Sequence, residues 1–337
     1  FAYFLRKEFN VIIYEKTSEL GGLIATRYNL ENIPWQQVPA ILHTNKDWIV
    51  NLLNSFTKFE PVEYQVGMNP LFDFRYYSYP FNKKTIDTMP WHWKEAILQD
   101  LETSNGENAE TIEQLITNFY GETIYSVFYE NYFKRIFNNI EIDLVDWYRP
   151  WMRDVNTNFN YYNEKYILFP INNGWNKVIN GMSQGVQINY NTNITISEIP
   201  KNDIIICTGD IEKFLKYEDI YLYSYGSFDI DSTPYKKGPD TIIYPNYTPF
   251  IQMTQYGKYY PNHEKNIIVK MFIDDGDIPL YPIPTKNNQH IYKQIVEYHP
   301  NVIFAGRAGS WSFMDIDGVI EQAQKVSAQI KHSRRNK

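Results

Sequence analysis

Val11-Ile12-Ile13-Tyr14-Glu15 is the stretch that decides the fold. A run of β-branched and aromatic residues ends on an acid, and the chain then turns at Leu20-Gly21-Gly22. A short buried strand that closes on a carboxylate is the signature of the second strand in a dinucleotide-binding βαβ unit. The acid in that place, Glu15, accepts hydrogen bonds from ribose hydroxyls, and Lys16 follows it. The glycine pair lets backbone come close to a ligand. Residues 1–7 put Phe1, Phe4 and Leu5 on one face, the back half of a helix. No G-x-G-x-x-G lies before Glu15, so the first strand and its phosphate loop are expected upstream of Phe1.

Two later stretches repeat the strand-then-glycine pattern. Residues 203–207 read as a buried strand running into Thr208-Gly209. Val302-Ile303-Phe304 reads as another, followed by Ala305-Gly306-Arg307 and a helix that starts near Met314-Asp315 and runs over about 316–330. Helix starts carry free N–H groups and a positive dipole end, which favour anions and polar ligand atoms. Each glycine turn alone is weak evidence. In this order the three describe an FAD-binding frame, whose late helix meets the flavin and ribityl chain.

Between them the periodicity changes. Residues 46–59 show helical spacing, with Trp48, Ile49, Leu52, Leu53 and Phe56 on one side. Residues 76–81 read as a strand, and 85–138 as mostly helical. Residues 147–166 are aromatic and polar without a period, a long loop of the kind that usually carries function. A helix is expected over 175–182, a strand over 186–196 and several strands over 221–271. The fold class is α/β: a Rossmann-type FAD-binding domain with an inserted helical lobe and an antiparallel sheet domain. The expected domains are 1–45 plus 186–220 and 296–330 for FAD, 85–146 for the helical lobe, and 60–84 plus 147–185 and 221–295 for the sheet and substrate.

Bulk composition narrows the function classes. The 337 residues are too many for one small core. The formal charge of −7 argues against a nucleic-acid surface, and the only basic cluster is the C-terminal tail. One cysteine, Cys207, rules out an intrachain disulfide and fits a reducing cytoplasm. No apolar run approaches the ~20 residues of a membrane helix. His92, His263 and His290 have no metal spacing, so no metal is expected. Aromatic residues reach 17%, chiefly through 29 Tyr, a residue suited to walls of pockets that hold polar ligands. The overall usage fits a phage or a low-GC bacterium.

From Phe1 to about Val326 the chain resembles the UDP-galactopyranose mutase family. The resemblance is carried by Tyr14-Glu15-Lys16 and Gly21-Gly22, Pro39 with Ile41-Leu42-His43-Thr44, Tyr77-Ser78-Tyr79-Pro80, and Glu130-Asn131-Tyr132. It continues through Arg153 to Gly174, with Asn160-Tyr161-Tyr162, then Thr208-Gly209-Asp210. Tyr281-Pro282-Ile283-Pro284 and Asn301 through Asp315 are its most specific blocks.

The resemblance implies a flavoenzyme in which the N5 of reduced FAD attacks an anomeric carbon, so that a nucleotide sugar interconverts between pyranose and furanose. It implies NAD(P)H as reductant and a homodimer. It puts His43 and Arg153 at the reaction and Tyr132, Arg153, Tyr161, Tyr162 and Trp311 at the substrate. Glu15, Lys16, Gly21, Gly22, His43, Thr208, Gly209, Gly306, Arg307, Met314 and Asp315 fall at the cofactor. Several family residues are replaced. The flavin-side histidine falls on Ala40, two phosphate-facing arginines on Ser224 and Gln252, a glutamate on Gln255, a tryptophan on Phe137, and two tyrosines on Trp311 and Phe313. Serine and glutamine cannot supply the bidentate charge that grips a diphosphate. That loss motivates an alternative: an amine- or amino-acid-oxidase-like FAD enzyme on the same scaffold.

Overall fold

The computed structural model describes all residues except 73–74, 105–108, 144, 146–160, 172–173, 201–202, 218–219, 235–236, 261–262, 264 and 336–337. The chain divides into two compact units.

The first unit is Phe1–Val62, Glu164–Ile220 and Ile295–Lys337. It holds two parallel strand pairs, Ile12–Tyr14 with Gln187–Asn189 and Ile205–Cys207 with Val302–Phe304. A three-stranded antiparallel sheet has Tyr166–Pro170 between Leu42–Thr44 and Phe59–Pro61. The helix Asp47–Asn54 buries Ile49, Val50 and Leu53, one turn apart on one face. With Leu42, Phe59, Leu168 and Val178 they surround Trp175, which is 1% exposed. The indole N–H of Trp175 donates to the Ala40 carbonyl at 2.9 Å, so the largest buried ring leaves no polar atom unpaired. The last helix is Ile316–Arg335.

Three expectations shift. The strand over 186–196 stops at Asn189, because Asn191 turns to φ 52° and the chain then enters a 3₁₀ turn, Ile196–Glu198, closed by a Thr195/Glu198 capping box. The strand before Thr208 is Ile205–Cys207, and Ile204 is exposed. Residues 164–185 belong with the parallel pairs, because Tyr166–Pro170 is the central strand of that unit's antiparallel sheet.

The second unit is Glu63–Asn163 and Tyr221–Gln294. Its sheet has seven strands. In spatial order they are Ile278–Pro282, Tyr223–Pro234, Lys265–Ile273, Gln252–Gln255, Thr241–Ile243, Val66–Met68 and Tyr77–Tyr79. Every neighbouring pair is antiparallel except Thr241–Ile243 with Val66–Met68. The helices Lys83–Asp87, Trp91–Thr103, Ile112–Tyr120 and Glu130–Ile136 form the lobe. Ile112–Tyr120 starts where the Thr111 hydroxyl caps Gln114 N–H, and it buries Ile112, Leu115, Ile116 and Tyr120. Tyr125–Tyr129 widens to a π-helical turn before the helix Glu130–Ile136.

Candidate functional site

Within the first unit, the carboxyl ends of three parallel strands carry the residues singled out from the sequence. Glu15 follows Tyr14, and its own N–H continues the ladder to the Asn189 carbonyl at 2.9 Å. Its carboxylate accepts from the N–H and hydroxyl of Thr17, both at 2.8 Å. The bonded oxygen is Oε1, so the side chain is fixed in place at the strand end. Lys16 is exposed beside it. Gly21 has φ 108°, and a Cβ there would lie 2.4 Å from Ile179 Cδ1, so the turn requires glycine. Gly22, at φ 54°, opens onto empty space.

Arg27, which the sequence reading passed over, holds this turn. It donates to the Gly22 carbonyl at 3.2 Å and to Gln37 at 2.9 Å, and it pairs with Glu19 at 2.5 Å. A lone arginine shortly after a glycine pair gave no sequence signal, because its partners are one turn and one hairpin away.

Thr208 and Gly209 are exposed at the end of Ile205–Cys207. Beside them Gly306 adopts φ 72°, and its N–H donates to Gln322 at 2.6 Å. A Cβ on Gly309 would fall 2.1 Å from the Cys207 carbonyl oxygen, so the short turn Gly306–Gly309 lies directly against the neighbouring strand end. Burial pushes the Cys207 thiol up to about 12, which leaves it an unreactive small hydrophobe. Arg307 donates to the Met314 carbonyl at 3.1 Å, stands 3.9 Å from Asp315 and lies over the Phe313 ring at 4.0 Å. The last helix starts at Ile316, as the expected run over about 316–330 has it, with the Asp315 carbonyl accepting from Val319. Trp311 is packed inside the unit, 1% exposed and at φ 43°.

His43 is the buried titratable centre of this unit. It sits on Leu42–Thr44 and is 8% exposed. Its Nδ1 lies 3.3 Å from Glu164 and its Nε2 3.6 Å from Asp315. Burial works against a charged ring, but Asp315 and then Glu164 outweigh it, and the pKa rises above the ordinary histidine value. Reciprocally, burial would raise Asp315, but contact with His43 and the charge of Arg307 hold its carboxyl below the usual range. The neighbouring Thr44 hydroxyl donates to Asp317 at 2.9 Å, and Lys46 bridges Asp317 and Glu321. One short strand is thus tied by side chains to the start of the last helix.

The second unit, taken by itself, holds a cluster of rings and hydroxyls. Tyr161 and Tyr162 meet at 4.7 Å, and both pack on Tyr64, at 5.4 Å each. Tyr161 also touches Tyr79, Tyr79 touches Tyr129, Tyr129 stacks on Phe133, and Phe133 meets Tyr132. A continuous aromatic run therefore joins Tyr162 to Tyr132. Tyr64, Tyr79 and Tyr129 were not singled out beforehand. Tyr79 stood in a quoted motif, whereas Tyr64 carries no local pattern. Burial keeps the Tyr64 and Tyr129 hydroxyls well above the ordinary tyrosine range, so both stay neutral. Arg153 lies outside the described residues.

The replaced positions are mostly interior. Ser224 is fully buried, with its hydroxyl 3.5 Å from the Tyr281 carbonyl. Gln252 donates to Thr254 at 3.3 Å, and Gln255 to the Pro239 carbonyl at 2.7 Å. Phe137 is 1% exposed and stacks on Phe133. Ala40 is part of the Trp175 core. Among the described residues no group of three His, Cys, Asp or Glu side chains could hold a metal ion. No helix there is long and apolar enough to cross a membrane.

Comparison with known proteins agrees with this architecture. Residues 127–313 match the UDP-galactopyranose mutase family model. A probable UDP-galactopyranose mutase of Klebsiella pneumoniae is 22% identical over 315 residues, covering 88% of this chain and 81% of its own. The dTDP-fucopyranose mutase of Escherichia coli is 23% identical over 350 residues, covering 94% and 88%. A crystal structure of reduced UDP-galactopyranose mutase superposes with a TM-score of 0.81 at 14% identity, covering 98% of this chain and 92% of that one. The fold and the family match define a mutase-type α/β protein. The chain belongs to the UDP-galactopyranose mutase family.

Proposed function

We propose that this chain is an FAD-dependent mutase that interconverts pyranose and furanose forms of a nucleotide sugar. One observation carries the reading: Glu15, Thr208-Gly209 and Gly306-Arg307 all stand at carboxyl ends of parallel strands, where open α/β sheets bind their ligands. The chemistry of these residues fits FAD. The Glu15 carboxylate suits ribose hydroxyls, and the positive-φ turns Gly21-Gly22 and Gly306 present backbone where a side chain would intrude. Reduced FAD, when bound, supplies the nucleophile for the anomeric carbon.

The chain's own residues bind and orient. Lys16, Thr208, Gly209, Met314 and Asp315 complete the proposed cofactor set, and His43 holds Asp315 by charge. Tyr132, Tyr161 and Tyr162 offer ring faces and hydroxyls to the sugar nucleotide, with Arg153 assigned to the same task; Trp311, 1% exposed, packs inside its own unit and is not placed at the substrate. Two lost arginines, at about 1.5–3 kcal/mol per charged hydrogen bond, would weaken a diphosphate by orders of magnitude unless replaced. Arg153 is the proposed replacement. The relatives' names bracket the substrate class: one acts on UDP-galactopyranose, the other on dTDP-fucopyranose. NAD(P)H is the proposed reductant, the cytoplasm the compartment, and a homodimer the assembly, all on family resemblance.

Titration of the purified, chemically reduced protein with UDP, dTDP, UDP-galactose and dTDP-fucose tests this reading. A flavin spectrum perturbed saturably by at least one nucleotide is the expected result. Purified protein that neither contains nor takes up FAD, or a flavin untouched by all four, would overturn it.

A further inference from the structure

The second unit contains a cavity of about 500 Å³ that takes no part in the site above. This is within the size range of small-molecule pockets. Trp93, Asn131, Lys134, Arg135, Asn246 and Tyr247 are among its lining residues, whereas Tyr132, Tyr161, Tyr162 and Ser224 are not. On the helix Glu130–Ile136 the lining positions Asn131, Lys134 and Arg135 share one face by their spacing of three and four.

The walls are held in unusual backbone. Tyr247 has φ 63° and Asn139, also lining, has φ 59°; left-handed geometry is rare for a ring as large as tyrosine. The lining also includes Ser126 and Val127 of the π-helical turn Tyr125–Tyr129, a feature that recurs at functional sites. Arg135 ties its helix to the lining segment that carries Pro245, Asn246 and Tyr247. Its guanidinium donates to the carbonyls of Tyr244, Pro245, Thr248 and Pro249 at 2.7 to 3.3 Å. Asn131 donates to Asn246, and Asn246 to the Pro70 carbonyl, so the two amides are oriented against one another.

These bonds decide which ligand chemistry fits. The Arg135 guanidinium is spent on carbonyls, and Lys134 pairs with Glu130 at 2.6 Å. Both cations keep their charge, but most of the guanidinium N–H groups are already taken by carbonyls and the Lys134 ammonium is drawn to Glu130, which leaves few aligned donors to grip a phosphate. The cavity offers carboxamides with bonding capacity to spare, an indole braced from behind by Tyr77 and Phe128, and a tyrosine ring that is 76% exposed. Hydroxyl pairs suit the amides, and the weakly positive C–H face of a sugar ring suits the negative face of an aromatic.

We propose that this cavity is a second binding site, separate from catalysis, for an uncharged saccharide held by Trp93, Tyr247 and the Asn131–Asn246 amide pair. The proposal does not rest on the flavin reading. It is tested on the full-length chain by following the nitrogen-15 signals of the Trp93 indole and the Asn131 and Asn246 amides. Galactose, N-acetylglucosamine and maltotriose are added separately at up to tens of millimolar, a range suited to weak binding. At least one sugar should move these signals saturably, while UDP and inorganic phosphate leave them in place. Tyr247→Ala and Asn131→Ala should each weaken that sugar about fivefold, the worth of one good contact. Signals unmoved by all three sugars, signals moved equally by phosphate or UDP, and binding that survives both substitutions would each overturn the proposal. Signals already perturbed by self-association, and unresponsive to sugar, would likewise overturn it and assign the cavity to a second copy of the chain.

Discussion

The two units hold their polar groups with different chemistry. The first uses charge: His43 between Glu164 and Asp315, Arg27 on Glu19, Lys46 on Asp317 and Glu321. The second, around its tyrosines, uses mainly neutral rings and hydroxyls, with Tyr64 donating to Thr241 at 2.8 Å and Thr241 bonded to Thr254 at 3.0 Å, beside the ion pair of Lys258 with the buried Asp240 at 3.1 Å. The difference teaches where pH should act. Near neutrality the buried Tyr64 and Tyr129 have no proton to lose, whereas the first unit has His43.

The largest effect that could break this contrast is steric. Trp175→Ala removes the ring at the centre of the first core and should cost about 3–5 kcal/mol, read as a large fall in denaturation midpoint. A cost below about 1 kcal/mol would mean that the core does not depend on that ring. Next comes Gly309→Ala, whose new methyl meets the Cys207 carbonyl, a backbone atom that cannot swing away. Overpacking of this kind costs about 1–3 kcal/mol. It should also loosen bound flavin, because Gly306 and Thr208 flank the same strand ends; flavin retention equal to the parent would separate this turn from the cofactor.

His43→Asn tests the charge itself. The variant should lose about 1.5–3 kcal/mol at mildly acid pH, the scale of a lost charged hydrogen bond. His43 is raised on folding, so its contribution is complete below the ordinary histidine pKa and fades as pH climbs through the folded value. Asp315 is lowered, so its contribution is present above the usual carboxylate range and fades as pH falls through the folded value. The parent-minus-variant difference should therefore shrink above neutrality. A difference constant from mildly acid to alkaline pH would contradict the assignment. The smallest effect is Tyr64→Phe, about 0.5–1.5 kcal/mol for one neutral hydrogen bond and independent of pH between mildly acid and neutral values. A pH dependence there would show that the wall is not the neutral surface described.

How much was legible beforehand follows from how local each signal is. Val11 to Glu15, Thr208-Gly209 and Val302 to Arg307 were readable because strand, turn and special residue are contiguous, and the structure places the two parallel pairs at those stretches. Helices with a clear apolar face, such as Asp47–Asn54 and Gly174–Ser183, were readable for the same reason. Boundaries set by a single backbone reversal, such as Asn191, were not. Nor were partners distant in sequence. The contacts of His43 with Glu164 and Asp315, and of Tyr64 with Tyr161 and Tyr162, join residues about a hundred or more positions apart, which no window of the sequence contains. Arg27 was invisible because a single arginine looks the same whether it is solvated or staples a turn.

Turnover under anaerobic conditions decides between a mutase and an oxidase. The chain, loaded with FAD and reduced with dithionite, is incubated separately with UDP-galactopyranose and dTDP-fucopyranose, and the products are separated chromatographically. Reduced protein should convert at least one to its furanose, and oxidised protein neither. Flavin-loaded protein that converts neither sugar, yet is bleached by an amine and consumes oxygen on re-aeration, would contradict the mutase reading and make the chain an oxidase on a mutase scaffold.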